Sequence, residues 1–270
     1  MGLLVEKHTD VISKDQRNLI AYRYHKVTRA INIAFWGIDN DTKNSLYVGS
    51  YGRGTAISTG DIDILVSLPR DLFDQMSKNR GNVQSRLLSS VRNAIKSTYS
   101  NSDVRADGQV IKINFSDGMR FEILPAFEKS VSFINSPVGY DYPDSNMGGN
   151  WRATNPKAEQ NAMATKNTES NGLYRATCRH IRFIRDNFFS SYHLPGIVID
   201  SFVYMAMGTW QFSESENSST TPAAGSYERV LLDYFNNHPF FQISAPGSGK
   251  TVDFISSREC LEKVLRKIVS

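Results

Sequence analysis

Residues 49–68 read GSYGRGTAISTGDIDILVSL, and no other stretch limits the fold as much. Ile62, Ile64, Val66 and Leu68 alternate, so they share one face of a strand. Asp61 and Asp63 then stand side by side on the opposite face. Two like charges so placed are costly unless a cation lies between them. Oxygen donors alone suit a hard divalent ion such as Mg²⁺, which keeps waters and shares the phosphate oxygens of a substrate. The turn before the strand offers backbone N–H groups, with no Cβ at Gly49, Gly52 or Gly54 to hold an anion away. Phosphate beside a divalent ion is the chemistry these residues suggest. Taken by itself, Asp-x-Asp would read as two surface acids on a strand edge.

A third acid lies downstream. Ile111, Ile113 and Phe115 alternate with Lys112 and Asn114, and Ser116-Asp117-Gly118 makes a turn. The return strand is expected over 119–124, ended by Pro125. On it Phe121 and Ile123 share one face, and Arg120 and Glu122 take the other. Glu122 is therefore expected to point out of the sheet as Asp61 and Asp63 do.

Gly-Ser, then Asp-x-Asp on a strand, then a carboxylate on a later strand resembles the polymerase-β-like nucleotidyltransferases. The wording of 49–68, with RFEILPAF at 120–127, is similar to the branch holding oligoadenylate synthetases, cyclic GMP-AMP synthase and bacterial CD-NTases. The resemblance is to the bacterial CD-NTases above all, strongest over 47–127 and looser over 173–270. It implies an α/β (α+β) fold with a mixed-sheet nucleotidyltransferase core over 1–150 and a C-terminal helical lobe over 151–270. It implies two Mg²⁺ ions, with Mn²⁺ as the substitute, held by Asp61, Asp63 and Glu122. One ion would activate the attacking hydroxyl and the other would steady the leaving pyrophosphate. Gly49 and Ser50 would hold the triphosphate, helped by Arg53 and Thr55. Relatives often carry Asp where this chain has Glu122, one methylene longer.

The implied reaction joins NTPs (ATP, GTP or pyrimidine NTPs) into a cyclic di- or trinucleotide. The product would be read by a separate effector in CBASS-type antiphage defence. A linear 2′-5′ oligoadenylate maker and a nucleotide- or RNA-binding pseudoenzyme are the alternatives. No nucleic-acid activator is indicated, and a monomer is expected.

The rest of the chain reads as supports. Ser13-Lys14-Asp15-Gln16 is a capping box, and Ile20, Tyr24, Val27, Ile31 and Ala34 predict a helix over about 14–36. A second helix is expected over about 82–98. Residues 136–171 shift toward Pro, Asn, Gly and Ser and read as a connection. From Leu173 the chain reads as helical. Arg175, Arg179 and Arg182 fall on one face, with Arg185 at its edge and Ile181, Ile184 and Phe188 opposite. The phrase around Arg185 resembles the family's helix ending in Lys-x-Trp, which makes Arg185, with Arg179 or Arg182, a triphosphate contact. Leu194–Asp200 resembles the family's Leu-Pro-Ser-Tyr-x-x-Glu, with Gly196, Ile197 and Asp200 as departures. Tyr227 is a candidate for stacking a base. Residues 213–224 are Ser/Thr/Glu-rich and read as mobile. Helices are expected over 227–235 and 256–268, the latter opened by a second capping box.

Composition excludes several classes. With 270 residues, 40% of them hydrophobic, the chain can bury a sizeable core. A net charge of +4 is mild for a dedicated DNA binder. Cys178 and Cys260 form no CxxC and read as buried thiols. No apolar run approaches membrane-spanning length and no signal peptide is seen, so a soluble cytoplasmic protein is expected. Gly247–Thr251 imitates the end of a P-loop, but Ser244 stands where the motif needs glycine. The five histidines show no metal-ligand spacing.

Overall fold

The computed structural model describes residues 4–8, 12–57, 61–129, 139–213, 225–238 and 242–270. It divides into two compact units. Residues 12–52 and 58–157 form a sheet unit; residues 1–11, 53–57 and 158–270 form a helical unit.

The sheet unit opens with α1 (Lys14–Ile31), whose N-terminus is closed by the predicted Ser13/Gln16 capping box. The α-helix stops five residues short of the expected end. Asn32–Trp36 continues as a π-turn, capped by Gly37 in the left-handed region. Asn32 accounts for the change. Its buried amide donates to the carbonyls of Asn40 and Lys43 and accepts from Asn44, tying the helix end to the following loop.

Seven strands follow: β1 (Ser45–Tyr47), β2 (Asp61–Leu68), β3 (Asp103–Asp107), β4 (Val110–Asn114), β5 (Arg120–Glu128), β6 (Tyr140–Asp144) and β7 (Asn150–Thr154). The order is β1-β2-β5-β4-β3, with β6 paired to β5 and to β7. Among the described residues only β2 and β5 run parallel; the other pairs are antiparallel. Between β1 and β2 lies a short helix, α2 (Gly49–Arg53), where a plain turn was expected. After β2 come α3 (Arg70–Ser77) and α4 (Val83–Thr98); Asn82 caps α4 by accepting from the Ser85 N–H. Helix α4 packs on α1 and buries Leu87, Leu88, Val91 and Ile95.

Strand β5 runs through Pro125, where the sequence predicted its end. On that edge, pairing with β4 stops at Ile123 and pairing with β6 begins at Phe127. Proline falls in the gap, where a missing N–H breaks no ladder bond. Strand β3 and helix α3 had no forecast. Of the β3 residues Val104 alone is buried, and the short α3 buries none, its Leu72, Phe73 and Met76 being half-buried.

The helical unit holds α6 (Leu173–Phe188), α7 (Gly196–Ala206), α8 (Ser226–Asn237) and α9 (Arg258–Val269), together with most of α5 (Pro156–Glu169). Leu173, Tyr174, Ile181, Phe202, Leu231, Leu261 and Val264 build its core. Helix α9 starts after a 3₁₀ turn, and its N-cap Ser257 makes no side-chain cap bond, so the second capping box does not form. Short strands β8 (Ile243–Ser244) and β9 (Thr251–Val252) pair around the P-loop imitation. The loop is a packing device. A Cβ at Gly247 would stand 2.7 Å from the Ala158 carbonyl carbon, and the Ser248 hydroxyl donates to Glu159 at 2.9 Å. The Ser/Thr/Glu-rich stretch lies almost wholly outside the described residues. Among the described residues no helix is long and apolar enough to cross a membrane.

Candidate active site

The register of the sheet brings two of the acids together. Asp63 on β2 lies directly opposite Glu122 on β5, and Asp61 lies opposite Arg120. Ile62 and Ile64 of β2, and Phe121 and Ile123 of β5, are fully buried. Their neighbours Asp61, Asp63 and Glu122 therefore share the other face. Two adjacent parallel strands thus present three carboxylates on one surface, as the sequence predicted.

Each outer acid meets a basic side chain. Arg120 donates from Nε to Asp61 at 2.8 Å. Lys112, paired across the ladder from Glu122, has its ammonium 3.5 Å from that carboxylate and 2.7 Å from Asp107. Asp63 is placed by the backbone. Its carbonyl accepts from the Val48 N–H at 2.8 Å, which pins β2 to the residue preceding α2. Gly49 opens α2 with φ +60°, and a Cβ there would lie 2.5 Å from the Asp63 carboxylate carbon. Gly49 is therefore needed twice, for its left-handed backbone and for the room Asp63 occupies. The Gly-Ser pair and the Asp-x-Asp strand are a single packed structure. Ser50 follows as the second residue of α2 and is half-buried.

The basic candidates belong to the helical unit, and the structure sorts them. Asp200 is fully buried and accepts from Arg182 Nη1 at 2.6 Å, Arg53 Nε at 2.8 Å and the Thr55 hydroxyl at 3.0 Å. Burial opposes its charge, but Arg182 and Arg53 outweigh that and hold its pKa at about 2. Arg182 and Arg53 are thus spent on an internal ion pair, which corrects their assignment to a nucleotide. The correction also explains two departures from the family phrase. Arg182 donates to the Gly196 carbonyl at 2.9 Å, and a Cβ at Gly196 would stand 2.7 Å from Arg182 Nη2. Gly196 and Asp200 are the two sides of one arginine socket.

Tyr227 is corrected in the same way. It is fully buried, its hydroxyl 2.8 Å from that of Thr177, so no base can lie on its ring. Phe188, expected on the buried face, is exposed. Arg185 is partly exposed, bonded to Asp186 and to the Leu194 carbonyl.

Arg175 and Arg179 instead bond to backbone carbonyls. Arg175 donates to the Arg53 carbonyl at 3.1 Å and Arg179 to the Gly54 carbonyl at 2.8 Å. Among the described residues neither stands in an ion pair with a carboxylate, and the buried Arg179 Nε lacks a hydrogen-bond partner. Burial, then the charge of Arg175, lowers the pKa of Arg179. Two guanidiniums share the one Asp200 carboxylate, which leaves a surplus of positive charge in that ion pair. Helical spacing put Arg175 and Arg179 on one face, but could not show that Arg182 had an acid eighteen residues on.

An acid-bearing β2–β5 pair in a mixed sheet, with an accompanying helical unit, is the architecture of a polymerase-β-like nucleotidyltransferase. The chain belongs to the Second Messenger Oligonucleotide or Dinucleotide Synthetase family, whose domain model matches residues 8–167. Solved structures of CD-NTases share the fold. A cyclic dinucleotide synthase CdnE from Elizabethkingia meningoseptica, with GTP and Apcpp, superposes with a TM-score of 0.65 at 13% identity, covering 93% of this chain and 89% of that one. The c-UMP-AMP synthase CdnE from Rhodothermus marinus gives 0.63 at 15% identity, with 92% and 89% covered. CdnC from E. coli MS115-1 with ATP gives 0.61 at 12% identity, with 97% and 85% covered. No curated protein sequence matches the chain.

Proposed function

We propose that this protein joins nucleoside triphosphates into a cyclic di- or trinucleotide, with release of pyrophosphate, as a signal in antiphage defence. The observation that carries the reading is the Asp63–Glu122 register across β2 and β5, with Asp61 on the same face. An all-oxygen donor set on two rigid strands fits Mg²⁺, and Asp61, Asp63 and Glu122 would hold it. Bound Mg²⁺ supplies a lowered pKa at the attacking hydroxyl and neutralises charge on the leaving pyrophosphate. Glu122 Oε accepts the proton of the acceptor ribose hydroxyl. Gly49 and Ser50 receive triphosphate oxygens at the start of α2. Family membership and the neighbours bound to GTP, ATP and nucleotide analogues support NTPs as substrates. Base choice, linkage and ring size are for the product to report.

The test is mass spectrometry of products from a mixture of the four NTPs with Mg²⁺ or Mn²⁺, before and after phosphatase. A phosphatase-resistant cyclic oligonucleotide is expected. A product that loses terminal phosphates would make this a linear synthase. Nucleotide binding with no product under either metal would make it a pseudoenzyme.

A further inference from the structure

The helical unit contains a second group of metal-ligand side chains. Glu6, His8 and His180 bring one carboxylate oxygen and two imidazole nitrogens within 4.8 Å of one another. They come from sequence positions 172 residues apart, so no spacing rule could reveal them. His8 Nε2 lies 2.9 Å from His180 Nδ1 and 3.7 Å from the Glu6 carboxylate.

The cluster is built. The Leu4 and Val5 N–H groups both donate to the buried Glu228 carboxylate, at 2.7 and 3.0 Å, and Val5 enters the core. That docks the N-terminal segment on the unit. His8 is then held at φ +44°, a conformation non-glycine residues seldom adopt, with its ring stacked between Phe183 and His180. The Glu6 N–H donates to His180 Nδ1 at 3.4 Å, so Nδ1 is the unprotonated ring nitrogen, and a bound dication would take the place of this long hydrogen bond. His180 is largely buried, whereas Glu6 is exposed and leaves a way in from solvent.

We infer that Glu6, His8 and His180 form a binding site for a transition-metal dication of the zinc type, which fastens the N-terminal segment to α6. Two imidazoles and one carboxylate are a zinc-like donor set, with water completing the shell, and a poor set for Mg²⁺. Two nitrogens bound at ~2.0–2.1 Å in a tetrahedral shell stand roughly 3.3 Å apart. The His8–His180 pair at 2.9 Å needs to open by only a few tenths of an ångström. The site draws on none of the residues assigned to nucleotide transfer.

The experiment uses the full chain without a histidine tag, stripped with chelator and titrated with zinc in excess Mg²⁺ by calorimetry, with Tm followed in parallel. One equivalent of zinc and a higher Tm are expected. His8→Ala, at the segment rather than in the core, should lower zinc affinity at least ~tenfold and abolish the Tm rise. Glu6→Gln should weaken binding less. Asp61→Asn/Asp63→Asn should retain the zinc equivalent. No saturable zinc binding, binding unchanged by His8→Ala, or binding lost with the two aspartates would each overturn the inference. None of these readouts depends on nucleotide transfer.

Discussion

The Asp63 carboxylate lies against Gly49 so closely that the glycine hydrogen fills the place of a side chain. Gly49→Ala must displace either Asp63 or the start of α2. A displacement of about 1 Å in a reacting constellation costs on the order of 100-fold in rate. We expect that loss in pyrophosphate release, with circular dichroism unchanged. Activity within twofold of the parent would separate Gly49 from catalysis.

Glu122 offers a test of charge against reach. Glu122→Gln keeps the shape but removes the charge that holds a metal and takes a proton, and should cost ~10²–10⁴-fold in kcat. Glu122→Asp keeps the charge on a side chain one methylene shorter and should stay within about tenfold of the parent. A Gln variant as active as the Asp variant would remove Glu122 from the chemistry.

Asp200 is the lone carboxylate shared by Arg53 and Arg182 in the core of the helical unit. Asp200→Asn leaves buried guanidiniums uncompensated and should destabilise by about 3–5 kcal/mol, read from urea unfolding. The sequence showed an acid here only as a departure from a family phrase. Its partners were legible as arginines and not as a socket, because a helical wheel cannot separate a solvated cation from one facing a buried acid. The acidic face fared better. Alternation in β2 and β5 fixes which side chains share a face whatever the tertiary context, so Asp61, Asp63 and Glu122 could be placed before any coordinates. Tyr227 and the cluster at His180 escaped for the opposite reason, since only long-range packing decides them.

His180 predicts the acid limb of stability. Burial, then the neighbouring His8, depresses its pKa to about 4, while Glu6 pulls the other way; His8 is lowered by burial and feels Arg179 as well. The unfolded chain takes up its proton near pH 6.5 and the folded chain only near 4, so stability is lost as pH falls between those values. Tm measured from pH 7.5 to 4.5 without zinc should fall across that window. His180→Asn should flatten the fall; an unchanged slope would place the titration elsewhere.

The helical unit is completed by three separate lengths of chain. Leu4 and Val5 donate to Glu228 Oε1 of α8, and Arg53 and Thr55 donate to Asp200 of α7. A graft that exchanges the C-terminal half between relatives at residue 157 would therefore carry acids whose counterparts stay behind. Such a graft keeps its buried acids partnered only if residues 1–11 and 53–57 travel with the helices they serve, so this unit is inherited by an exchange in three pieces rather than one.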